Sequence, residues 1–217
     1  MFELIECVVK DAITYFGTCH INILRNLVQE LLRYMIYLKN EKYSPPDATH
    51  ILTTSRNVLC DVNIIIRDVR VASNFLELDI SVSSESTLDI IRSKLSNLGP
   101  LIEIDRIAEK ELDKDESIKM ARVLFNNEKY WKTHEVLEGV WKHTYGNERD
   151  LLNGLILVAA ALVHYQKGEQ GICISIMNRA LAKLNNSHGR YHDINIDSLK
   201  SEITNIVKLI KFSRFTI

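Results

Sequence analysis

The hydrophobic period changes once along this chain, and that change constrains the fold more than any other feature. From Leu31 to about Ile107, short apolar runs alternate with helical patterns; from about Asp113 onward the spacing is helical throughout. Strand side chains point alternately to opposite faces, whereas a helical face recurs about every 3.6 residues, so the two halves cannot share one kind of layer. In the first half, Leu31 to Leu38 is a dense apolar run suited to a central strand. Ser44-Pro45-Pro46-Asp47 then opens a helix with Ala48, Ile51, Leu52, Ser55, Val58 and Leu59 on one face. Strands are expected at Val62 to Val71 and Phe75 to Val82. In the second of these, Leu76, Leu78, Ile80 and Val82 alternate with Glu77, Asp79 and Ser81, which predicts one wet face. A helix from Ser86 stopped by Gly99-Pro100, and a short strand from Leu101 to Asp105, complete the unit.

The order βαββαβ is that of a ferredoxin-like split βαβ unit, in which the first and third strands are central. The fold class is therefore α+β: a ferredoxin-like domain over 29–110, followed by an all-α helical bundle over 113–217. Bundle helices are expected near 114–126, 129–144, 148–167, 169–185 and 197–212. Residues 1–28 form an N-terminal extension, where Phe2, Ile5, Val9, Ile13 and Phe16 have the spacing of a short amphipathic helix. The charged stretch Glu109 to Glu116 marks the boundary between the halves.

Composition narrows the function classes. The 217 residues are 46% hydrophobic and 25% charged, with eight Gly and three Pro, which excludes a disordered or fibrous chain. The net charge of -1 gives no basic field for nucleic acid. Cys7, Cys19, Cys60 and Cys173 form no C-x-x-C pair and read as reduced thiols of a cytoplasmic protein. The longest apolar run, Leu151 to Val163, is interrupted by Asn153 and falls short of the ~20 residues of a membrane span. No signal peptide is evident, and no phosphate-binding glycine loop or nucleophile elbow occurs.

The candidate site is in the second half. Tyr130 to Trp141 carries the pattern H-x-x-x-E-x-x-W, which places His134, Glu138 and Trp141 along one helical stripe. Facing an apolar helix, His134 and Glu138 would need partners. Imidazole and carboxylate four residues apart suit zinc, manganese or iron, with His164 as a third ligand and Tyr130, Trp141 and Arg149 around the pocket. Glu135 is expected to point about 100° away from His134 and to stay out of the set. The rival reading is a non-catalytic regulatory or protein-interaction module. There Glu138 bonds His134 or Arg149 as a structural tie between helices, and the sheet of the first half forms a homodimer.

The motif residues, with Phe125-Asn126, Tyr130-Trp131, Arg149, Leu152 to Ile156, Ala159, Ala161, His164 and Gly168, resemble domain-of-unknown-function family 309 over residues 115–185. The family comprises bacterial and archaeal proteins. The resemblance implies a compact helical fold and a metal-binding role for the motif, and no established activity. Lys132-Thr133 and Asn153 depart from the family pattern outside the core motif. Arg70-Val71-Ala72-Ser73 and Leu76-Glu77-Leu78-Asp79 resemble an N-terminal extension seen on archaeal members.

Overall fold

A computed structural model of the chain describes residues 31–60, 64–108 and 113–217. The helix expected within 1–28 lies outside the described residues. The first region is a four-stranded sheet: β1 (Leu32–Lys39), β2 (Ile64–Val71), β3 (Phe75–Val82) and β4 (Leu101–Arg106), in the order β2-β3-β1-β4 with every neighbouring pair antiparallel. Helix α1 (Ala48–Val58) connects β1 to β2, and α2 (Thr87–Lys94) connects β3 to β4. The apolar first strand is central, as its composition predicts. Tyr34, Ile36 and Leu38 share one cluster with Leu76, Leu78, Ile80 and Val82 of β3, Ile51 of α1 and Ile91 of α2. The entry to α1 is fixed by Ser44, whose backbone N–H donates to the Asp47 carboxylate at 2.8 Å ahead of the proline pair.

The opposite face of the sheet corrects the expectation of a wet surface. Glu77, Asp79 and Ser81 are buried, as are Met35 and Tyr37 beside them. Their alternation with apolar residues reports a polar layer between two packed bodies rather than a solvated side. Arg33 donates to both Asp79 oxygens (2.9 and 2.6 Å), and Arg70 pairs with Glu77. The Trp131 ring covers both guanidinium groups, at 4.7 Å from Arg33 and 5.6 Å from Arg70. Lys129–Glu103 (2.7 Å), Lys132–Asp105 and Lys167–Asp68 (3.2 Å) continue the charged seam.

The second region contains α3 (Lys114–Asn126), α4 (Tyr130–Trp141), α5 (Gly146–Gln166), α6 (Gln170–Leu184) and α7 (Ile196–Leu209). Asp113 caps α3, accepting from the N–H groups of Asp115 and Glu116 at 2.8 and 3.1 Å. Helix α5 packs on both α4 and α6, which accounts for its apolar residues on several sides. A Cβ on Gly154 would lie 2.5 Å from Cγ of the buried Leu184, so glycine sets how closely α5 and α6 approach. Two details depart from the sequence reading. The break at 185–195 contains a small hairpin, β5 (Arg190–Tyr191) with β6 (Ile194–Asn195), turned by His192 and Asp193 at positive φ. The last helix stops at Leu209, and Ile210 takes a left-handed conformation that a β-branched residue rarely adopts. The chain then returns across the bundle: Phe212 stacks on Tyr165, Phe215 packs on Phe125, and the Ile217 N–H donates to Asn126 Oδ1 at 2.9 Å.

Candidate functional site

Helix α4 buries Tyr130, Thr133, Leu137 and Val140, the positions i, i+3, i+7 and i+10. His134 and Glu138 each follow a buried residue by one position, about 100° further round the helix. They are consequently half-buried on the flank of α4 rather than enclosed against α5, which corrects their expected burial. The spacing of four does bring them together. On the helical wheel Glu138 lies about 40° from His134 and about 60° from Glu135, so all three occupy an arc of about 100°. One donor atom from each of His134, Glu135 and Glu138 can be chosen so that all lie within 4.8 Å of one another. Glu135, which its offset of about 100° from His134 predicts to stay out of the set, thus belongs to the cluster. The signal that would have found it is its i−3 relation to Glu138.

His164 does not join them. Its Nδ1 is bonded to Glu169 at the end of α5, where Lys167 also pairs with Glu169 at 3.5 Å. An N–H and carboxylate at the start of the following helix offer a nearer partner than the motif does. Arg149 likewise does not reach Glu138. It donates to the Thr144 carbonyl at 3.1 Å, and its guanidinium lies 3.9 Å from the Trp141 ring centroid. The Trp141 Nε1 is buried with no hydrogen-bond partner among the described residues. Tyr130 is buried at the start of α4, edge-on to Phe125 at 5.1 Å. The Glu138 carboxylate makes no hydrogen bond or ion pair among the described residues.

Electrostatics join the cluster to the sheet. The Glu135 carboxylate lies 3.4 Å from His134 Nδ1. That contact, opposed by partial burial and helped by the nearby Arg33, holds Glu135 below the usual carboxylate range. The folded pKa is depressed, so the stabilisation is present above the unfolded carboxylate pKa and is lost as pH falls through the lower, folded value. An NMR titration of the Glu135 side chain is expected to show a midpoint below the ordinary glutamate value, moving upward in His134→Ala. An unchanged midpoint in that variant would show that His134 does not act on Glu135. Cys173 offers no thiolate ligand, since burial pushes it up to about 12.

The fold and site together define an α+β protein: an antiparallel sheet region followed by helices, with a His/Glu cluster on one helix. The model of the family described as "Domain of unknown function (DUF309)" matches residues 118–175, and the chain belongs to that family. The match includes all of α4 and α5 and hence the entire cluster. The chain is also similar to a solved structure, the conserved hypothetical protein TTHA0068 from Thermus thermophilus. Identity is 31%, covering 42% of this chain and 94% of that one, with a TM-score of 0.37. No curated protein matches the chain. No helix of the described residues is long and apolar enough to cross a membrane.

Proposed function

We propose that this protein binds a divalent cation through His134, Glu135 and Glu138, with the open side of the site available to a water or a small-molecule oxygen. The observation that carries this reading is the convergence of one imidazole nitrogen and two carboxylate oxygens within 4.8 Å. The donor set fits the group: mixed nitrogen and carboxylate ligands suit zinc, manganese or ferrous iron. Glu138 has no competing protein partner among the described residues, and the half-exposed flank leaves coordination positions unfilled by protein. A bound cation would supply Lewis acidity at those positions, the requirement of hydrolase-like chemistry. His134 presents a ring nitrogen to the site. Arg33, held by Asp79, places a positive charge near Glu135 and limits the net negative charge of the cluster.

The rival interaction-module reading has Glu138 bonding His134 or Arg149 as a tie between helices; against it, Arg149 donates to the Thr144 carbonyl and Glu138 has no hydrogen bond among the described residues. We also read the sheet region as a ferredoxin-like domain over 29–110. The strand order, with β1 and β3 central, and the packing of α1 and α2 on one face support that assignment. Separate apolar clusters in the sheet and helical regions support the division from 113–217.

Calorimetric titration with zinc, manganese and ferrous iron tests the proposal. Binding is expected in the intact chain, lost in His134→Ala, weakened by more than about tenfold in Glu138→Gln, and unchanged in His164→Ala. No binding, or equal binding in His134→Ala, would contradict it.

A further inference from the structure

A second site lies away from the cation cluster. A cavity of about 210 Å³ opens in the seam between the sheet region and the helices, and part of its wall comes from the segment that follows Ile210. Phe212 and Phe215 of that segment line it together with Tyr130, Tyr165, Glu128 and Arg214. The returning segment is pinned: Arg214 donates to the Asn126 carbonyl at 2.8 Å, and the Ile217 carbonyl accepts from Arg122 at 2.8 Å. Glu128 is nearly fully buried and has a left-handed backbone, φ 61°, where glycine or asparagine is usual after a helix. Its side chain has a specific use there, accepting from the Ser73 N–H at 2.8 Å and pairing with Arg214 Nε at 3.0 Å.

The lining identifies a ligand class by size, charge and hydrogen-bonding capacity. An apolar cavity of about 150 Å³ holds benzene, and drug-sized sites begin near about 300 Å³, so this one takes a single ring with polar substituents. Five aromatic side chains, Tyr43 among them, favour a planar occupant, and Phe212 already stacks on Tyr165 with centroids 3.9 Å apart. The Glu128 carboxylate and the Arg214 guanidinium pair at 3.0 Å and neutralise each other, so the lining carries no net charge to draw an ionic ligand. The Tyr130 and Tyr165 hydroxyls make no hydrogen bond among the described residues, and each can donate or accept. We propose that the cavity binds an uncharged, planar, single-ring molecule with a hydrogen-bonding edge, of the pyrimidine-base or aromatic-amide class, read by the Tyr130 and Tyr165 hydroxyls. No residue of the cation cluster lines this cavity, and the two sites are independent.

The test is ligand-detected and protein-detected NMR titration of the full chain with uracil and nicotinamide, against benzoate and benzylammonium as charged rings of similar size. The uncharged rings are expected to bind and to shift resonances of Phe212, Phe215 and Tyr165, with the charged rings at least about tenfold weaker. The double variant Tyr130→Phe/Tyr165→Phe keeps both rings and is expected to weaken binding by about tenfold or more while its thermal unfolding midpoint holds. His134→Ala is expected to bind as the intact chain does. The proposal is overturned by no shift up to roughly 10 mM ligand, beyond the millimolar limit of useful affinity. Charged rings binding as well as uncharged ones would also overturn it, as would undiminished binding in the double variant.

Discussion

Arg70→Met is expected to lower the unfolding free energy by about 3–5 kcal/mol, because it strands a buried carboxylate. Arg70 and Glu77 are each 2% exposed in their side chains, and the Glu77 Oε2 has no hydrogen-bond partner among the described residues. The Tyr37 hydroxyl is buried beside it; burial first, and then the Glu77 charge, push that phenol well above its ordinary range, so it stays a neutral O–H. The double variant Arg70→Met/Glu77→Leu should recover most of the loss, since replacing both members of a buried pair by apolar groups is often close to neutral. Urea unfolding of the three proteins checks both statements. A change below about 1 kcal/mol in the single variant would place Glu77 in contact with water and would contradict the packing of α4 on the sheet.

Phe125→Ala is expected to cost about 3–5 kcal/mol, the usual range for removing a buried aromatic ring. Phe125 is 2% exposed and packs against Tyr130 and Phe215 at 5.1 and 5.5 Å. It joins α3, the start of α4 and the returning C-terminal segment. Its loss should therefore also speed amide hydrogen exchange across 212–217 more than across α6, which makes no ring contact with it. Stability within about 1 kcal/mol of the parent protein would mean that the segment does not pack where the structure places it.

The elements themselves were legible because each period was clean: the run Leu31 to Leu38, the alternation in Phe75 to Val82, and the sustained helical spacing after Asp113. The environment of the elements was less legible. Alternation in β3 shows which residues share a face, and it cannot show that Arg33, Arg70 and Trp131 cover that face, since these come from distant positions in sequence. In α4 the spacing of four fixed His134 relative to Glu138, yet it left open how the helix is rotated about its own axis. That rotation is set by Thr133, Leu137 and Val140 packing inward, and it put the motif on a flank with Glu135 beside it. His164 departs from the expected set for a related reason: a shared helical stripe does not reveal that Glu169, after the turn at Gly168, is a nearer partner. The return of 211–217 across the bundle had no periodic signal, because its anchors are single side chains on an irregular backbone.

Anomalous diffraction from crystals of the full chain soaked with zinc or manganese tests the cation site on α4 most directly. The expected result is one strong peak about 2.0–2.2 Å from a ring nitrogen of His134 and from carboxylate oxygens of Glu135 and Glu138. A peak elsewhere, or none at these three residues at saturating metal, would contradict the account.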